Sequence, residues 1–330
     1  MTKLDHIYIV LIFCLFSGIL SGQSTVTVTY LGGPVGTIHT WTKDNLYVLD
    51  GIVNLYQGRK LVIEPGTVIK AKLPTEGESY AALVISDGAE IQANGTAAEP
   101  IIFTVETDNL FDDEEFIYDD ETWHGIQIYG RAPMNPYGTQ VQYTIPGTNL
   151  TYSVGGNDVN DSSGSLSYVS IRHAGADSSN IADIGGLTLV GVGAGTVLNH
   201  IEIYEPSEFT LQVIGGTAQV NRLVSSGGFG VQLRDGFRGS GQFWFLENDF
   251  TSALRIRGPF GNGNSILTDP DLANLSIFRA FSDPNLDIDS TYRTCIELLG
   301  RAKGRIDNSL FSATGSRVIS MYEFYQGTSH

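Results

Sequence analysis

The chain has 330 residues, a net charge of -17 and only 17% charged residues. So acidic a balance excludes nucleic acid and anionic lipid as partners, because both demand basic patches. It also makes a polyanionic glycan a ligand only where a cation bridges the two. The length suffices for one elongated domain or two compact ones.

The N-terminus reads as a targeting segment. Lys3 precedes the apolar run IYIVLIFCLFSGIL (Ile7 to Leu20), which has signal-peptide length and is short for a membrane span. Small residues at Ser21 and Gly22 place cleavage between Gly22 and Ser24, so residues 1–22 read as a signal peptide. Cys14 lacks the small residues that precede a lipoprotein cysteine, so free export is expected rather than a lipid anchor. No other apolar stretch is long enough to span a membrane, and no membrane insertion is expected after cleavage. Cys295 then stands as the lone cysteine and cannot form an intrachain disulfide. Its context, TCIELLG, reads as buried core.

Residues 59–320 read as a repeat, and residues 23–58 as an N-terminal cap over its first open coil. LVIEPGTVIKA (Leu61 to Ala71) aligns with LVISDGAEIQA (Leu83 to Ala93) at an offset of 22 residues. Farther on, apolar pairs begin at Leu187, Leu211, Val231, Leu254, Ile296 and Val318, spaced by 24, 20, 23, 42 and 22 residues. The interval of 42 is either one unit with an inserted loop or two units. Within each unit apolar residues alternate at period 2, as at Leu187 and Leu189 or Ile201 and Ile203, which is a strand pattern. Gly, Asn, Ser and Asp separate the short strands, and no amphipathic helical run occurs. The fold class expected is all-β: a single right-handed parallel β-helix of roughly 9–11 coils. Insertions are expected at about 105–122, 132–163, 258–272 and 282–294, with 321–330 as a tail or truncated cap.

Several constellations stand out along this scaffold. DDEEFIYDDE (Asp112 to Glu121) packs seven carboxylates into ten residues, between the strands PIIFT and WHGIQIY. It reads as an inserted loop that is solvated, holds Ca²⁺ through Asp112, Asp113, Glu114, Asp119 and Asp120, or supplies an acidic catalytic pair. No cofactor is required by the sequence, and Ca²⁺ is the one it offers ligands for. A second loop, GGNDVNDSSG, carries Asp158, Asn160, Asp161 and Ser162 but has Val169 where a calcium loop needs its bidentate Glu. Tyr129, Tyr137, Tyr143 and Tyr152 either stack on sugar rings or pack their insert down. Asn199, Asn221 and Asn308 are candidates for a turn ladder with hydrogen bonds along the axis. VQLRDGFRG aligned with ALRIRG sets Gln232 over Arg255 and Arg234 over Arg257, with Asp235 and Arg238 at the adjacent turn. Two stacked guanidiniums grip a carboxylated sugar, or they form an ordinary surface ladder neutralised by Asp235 and Glu297. Histidines show no metal-ligand spacing, no Ser/His/Asp set is evident, and GVGAG (Gly191 to Gly195) lacks the Lys and helix of a phosphate loop. The outward positions Gln212, Gln232 and Arg255 are not acidic, as a glycosidase face would require.

The stretches Thr40 to Lys72, Ala82 to Thr104, Trp123 to Pro133, Asn160 to Gly175, Gly185 to Glu205 and Gly215 to Ser226 resemble the coils of secreted β-helix proteins common in Bacteroidota. The string IEPGTVIK carries much of that resemblance. It implies a pectin-lyase-like β-helix, exported and usually without assigned activity. Relatives often have Asp-rich turns around the GGT coil; here those turns are EPSEF and SSGGFG, which puts any cation site of that kind in doubt. Relatives are also often longer and end in a sorting domain, whereas this chain ends MYEFYQGTSH, so another export route or a truncation is expected. The function expected is a secreted, non-enzymatic structural or adhesive protein of a bacterial surface or matrix, with extracellular polysaccharide or cell-surface components as partners. The alternatives are a polysaccharide lyase or hydrolase at Arg234, Asp235, Arg238 and Arg257, and a carbohydrate-binding module using the tyrosines.

Overall fold

The computed structural model describes residues 23–75, 78–110, 122–135, 140–175, 184–248, 252–259, 265–279, 294–313 and 317–322. Two long sheets wind around one core: a fourteen-stranded sheet and a nine-stranded sheet. Among the described residues every pairing in both is parallel, and the one antiparallel pair is a separate hairpin, Val141–Thr144 with Thr151–Val154. This is a right-handed parallel β-helix. Among the described residues no helix is long and apolar enough to cross a membrane.

The nine-stranded sheet runs through Ile52–Leu55, Ala82–Ile85, Ile126–Tyr129, Gly185–Val190, Phe209–Ile214, Val231–Arg234, Leu254–Arg257, Thr294–Leu299 and Arg317–Tyr322, one strand per coil. Its inward side chains form columns because parallel register sets like positions above each other. Leu83, Ile126, Leu187, Leu211, Val231, Leu254 and Ile296 make one such column, wholly within the core. Leu254 pairs directly with Ile296, so the interval of 42 is one coil with an insertion. The final step lands on Ile319 rather than Val318.

The alignment of Leu61 with Leu83 does not survive. Leu61 pairs with Ile91 in the fourteen-stranded sheet, while Leu83 pairs with Val53 and Ile126 in the other. Both segments are a strand, a glycine turn and a strand. They look alike because successive sides of one coil obey the same alternation, not because they stack.

In the fourteen-stranded sheet the strands Gly164–Arg172, Val197–Tyr204, Gln219–Ser226, Ser240–Glu247 and Asp271–Arg279 each bend at one left-handed residue. These are Tyr168, His200, Arg222, Phe243 and Asn274, with φ between 51° and 59°. The bend turns one strand into two sides of the coil. It also corrects the asparagine ladder. Asn199 and Asn221 pair in register just before the bend, but the next positions are Gln242 and Ala273. Asn308 belongs one column over, at φ 47°, where its Nδ2 donates to Asn274 Oδ1 at 2.5 Å. Two short asparagine steps exist instead of one ladder.

Residues 23–58 continue the stack. Ser24–Val28 pairs in parallel with Asn45–Leu49, and Ile38–Trp41 pairs with Lys60–Ile63. The rings of Trp41 and Tyr47 lie 4.9 Å apart and nearly parallel, and both are buried in the core at this end. Cys295 is buried in the core.

Candidate functional site

Alternation along each strand of the nine-stranded sheet sends every second side chain outward. One outward column runs Asn54, Val84, Gln127, Thr188, Gln212, Gln232, Arg255, Glu297 and Ser320. A second includes Tyr129, Val190, Ile214, Arg234 and Arg257. The arginines therefore stack as the sequence expects: Gln232 over Arg255 and Arg234 over Arg257.

Their electrostatics decide what they can do. Arg234 Nη1 contacts Asp235 Oδ2 at 2.5 Å, across a turn in which Asp235 adopts φ 53°. Arg255 Nε contacts Glu297 Oε2 at 2.5 Å and lies over the Phe209 ring, 5.6 Å from its centroid. Glu297 is only 4% exposed and also accepts from Ser252 Oγ at 3.4 Å. Arg238 does not face this pair: its Nε donates to the Leu267 carbonyl at 3.4 Å, tying the turn to the following segment. Arg234, one member of the gripping pair read from the sequence, and the neighbouring Arg255 thus each carry a carboxylate partner, as the neutralised ladder expects.

The same face is covered toward the N-terminal end. The hairpin of residues 141–154 packs Ile145 and Val154 with Val84, Tyr129, Val190 and Ile214. Tyr129 is fully buried, with Tyr143 at 5.6 Å and Tyr152 at 4.8 Å between ring centroids. Burial pushes its phenol well above the ordinary value. These three tyrosines pack the insert down and present no row of rings to a sugar. Tyr137 lies outside the described residues.

Gln212 and Gln232 point outward yet are 0% and 1% exposed, joined by Gln212 Nε2 donating to Gln232 Oε1 at 3.2 Å. Gln127 and His124 are equally buried, and Gln127 Nε2 donates to the His124 carbonyl at 2.8 Å. Among the described residues the amide oxygens of Gln127 and Gln212 and both ring nitrogens of His124 have no hydrogen-bond partner. Burial alone pulls the His124 pKa down to about 4. Sequence reasoning missed this polar strip because alternation reports direction and not cover.

The acidic loop, with Asp112, Asp113, Glu114, Asp119 and Asp120, lies outside the described residues. Among the described residues no group of three or more His, Cys, Asp or Glu is placed to hold a metal. The second acidic loop is a strap. Gly155 N donates to Gly130 O, Asp158 N to Arg131 O and Ala194 N to Val159 O. Asp158 Oδ1 accepts from Asn160 N, and Ser162 Oγ donates to Gly195 O. The polar atoms of Asp158, Asn160 and Ser162 serve the loop and its neighbours, Asp161 Oδ2 is buried with no hydrogen-bond partner among the described residues, and Val169 is simply core. Burial raises the Asp161 carboxyl above its ordinary range, with Asp87 and Asp158 adding to the effect.

A family model described as a pectate-lyase-like β-helix domain matches residues 33–314. The chain belongs to that family. No protein of curated function matches it, and no solved structure does.

Proposed function

We propose that this member of the pectate-lyase-like β-helix family is an exported, non-enzymatic structural or adhesive protein of a bacterial surface or matrix. The observation that carries the reading is the pairing of Arg234 with Asp235 and of Arg255 with Glu297, on a sheet face partly roofed by the hairpin. A guanidinium already bound to a carboxylate abstracts no proton and gives up its attraction for a uronate. Regular parallel stacking supplies the rigid rod that a matrix or adhesive role needs. The sequence features of residues 1–22 support export.

The alternative is a lyase or hydrolase using Arg234, Asp235, Arg238 and Arg257. One experiment separates the two. The mature chain is incubated with polygalacturonate and with uncharged polysaccharides, with and without Ca²⁺, and new reducing ends and unsaturated ends are measured. No product is expected. Product that disappears on Arg234→Ala or Arg257→Ala overturns the reading. The acidic loop is proposed as a Ca²⁺ site. A melting temperature that rises with Ca²⁺, and ceases to rise once Asp112, Asp113, Asp119 and Asp120 are all changed to Asn, supports that proposal; no rise refutes it.

A further inference from the structure

Among the described residues the exposed tyrosines are Tyr30, Tyr56 and Tyr204, none of them in the insert. Tyr204 stands in the other sheet, while Tyr30 and Tyr56 lie together at the N-terminal end of the nine-stranded sheet. Leu31 bridges Leu55 in parallel, which puts Tyr30 and Tyr56 diagonally on adjacent coils. Tyr30 is 62% exposed and Tyr56 40%. Their ring centroids are 6.4 Å apart and the planes meet at 56°, so the rings form two walls of a notch. Behind it Tyr152 donates its hydroxyl to Asn54 Oδ1, anchoring the hairpin beside the notch.

This exposed apolar surface is held in place rather than left loose. Gly36 N donates to Gly58 O at 2.7 Å, Thr37 Oγ1 to Pro34 O at 2.8 Å, and Arg59 Nε to Gly33 O at 2.8 Å. The Tyr30 ring lies across Gly32, where any Cβ would overlap it. Val35, 78% exposed, sits against Gly58, where a Cβ would come within 2.8 Å of its Cγ1. Glycine at both positions leaves room for two exposed apolar side chains that add nothing to the core. Fixed, exposed aromatic surface lowers the entropy cost of binding a ligand.

The chemistry of the ligand is set by the walls and by the charge. A pyranose has an apolar C–H face that packs on a tyrosine ring and hydroxyls that reach the polar rim. Arg59 lies 5.9 Å from the Tyr56 centroid, but its Nε and Nη2 both donate to the Gly33 carbonyl and its Nη1 to the Gln57 carbonyl. The edge that would take a carboxylate bidentately is occupied. A net charge of -17 adds repulsion against any polyanion.

We propose that the Tyr30–Tyr56 notch binds an uncharged pyranose of a polysaccharide chain. This rests on the adhesive reading and gives it a ligand class. The test is native affinity electrophoresis of the mature chain through gels containing xyloglucan, galactan, mixed-linkage β-glucan or polygalacturonate. Retardation is expected in at least one of the three uncharged gels. Tyr30→Ala and Tyr56→Ala should each weaken it by about tenfold, the loss of one ring contact, while Tyr30→Phe retains it. Melting temperatures of the variants report on folding. No retardation in any uncharged gel, retardation by polygalacturonate alone, or retardation unchanged in both alanine variants overturns the notch. Weakening that a lowered protein concentration reproduces assigns the tyrosines to self-association and overturns it too. Cleavage of the polysaccharide overturns the non-enzymatic reading instead, and tyrosine-dependent retardation in the same gel would still support the notch.

Discussion

Glu297→Gln tests whether the arginine ladder is structural. The substitution keeps size and an acceptor oxygen but removes the charge that faces Arg255 Nε at 2.5 Å. A charge-assisted hydrogen bond is roughly twice as strong as a neutral one, so the bond itself loses on the order of 1 kcal/mol. Arg255 is then left with an uncompensated charge. Removing one partner of a fully buried pair costs about 3–5 kcal/mol. Arg255 keeps 23% of its side-chain surface in water and retains the Phe209 ring at 5.6 Å, which places it below that range. Together these give a destabilisation of about 2 kcal/mol. Urea denaturation followed by tryptophan fluorescence reads it as a lowered midpoint. Glu99→Gln is the control, because the Lys43–Glu99 pair is 50% and 38% exposed and should leave the midpoint where it is. Equal effects from the two substitutions, or none from Glu297→Gln, would refute the reasoning. Arg255 would then be a cation whose partner is dispensable, and the paired-ladder reading of this face would lose one of its two ion pairs.

Other consequences stem from the same physics. Gly164 has φ 105° and a Cβ there would overlap the Ile91 carbonyl, whereas Gly36 has φ 93° with open space around it. Gly164→Ala should cost at least about 3 kcal/mol and Gly36→Ala about 1–2 kcal/mol, read as urea midpoints. The His124 pKa is depressed from 6.5 to about 4, so its contribution to stability is present above pH 6.5 and is lost as pH falls toward 4. His124→Gln should flatten the decline of melting temperature across that window; an unchanged decline counts against the burial of the ring. Asp161 is shifted the other way. Its ionised form is disfavoured by the fold, so stability is gained as pH falls through its raised pKa. Asp161→Asn should therefore melt higher than the parent near neutral pH and converge with it in acid; a variant less stable at neutral pH would contradict this.

The β-helix was legible because a solenoid core repeats one demand. Each coil must present an apolar side chain at the same inward position, so Leu187, Leu211, Val231, Leu254 and Ile296 recur at near-regular intervals. The same regularity misleads where sides of one coil resemble each other, as Leu61 and Leu83 do. Asn308 fails for a related reason. Its spacing to an apolar residue matches that of Asn199 and Asn221, but the left-handed bend falls on it and not on them. Nothing in the sequence marks which residue of each strand takes that bend, since Tyr168, His200, Arg222 and Phe243 share no side-chain property that favours it.

Function depended on what covers a surface, and that is a property of tertiary contacts. The sequence identified outward arginines and their register correctly, and it named Asp235 and Glu297 as partners because opposite charges fell in adjacent positions. It left the tyrosines of the insert open between ligand contact and packing, since a hairpin's docking angle is not encoded in its own alternation. Once Tyr129, Tyr143 and Tyr152 are packed against one another, they are unavailable as a sugar platform. Tyr30 and Tyr56 are an exposed pair in ring contact, in a capping segment where apolar side chains would be expected to face the core. Tyr30 does not do so, although Trp41, Tyr47, Val28 and Leu31 nearby are all buried. With Trp41, Tyr47, Val28 and Leu31 already filling the core of the end coils, an aromatic ring left in water is surplus to the packing, and that surplus sets the notch apart from the paired arginines as a surface with contacts still to make.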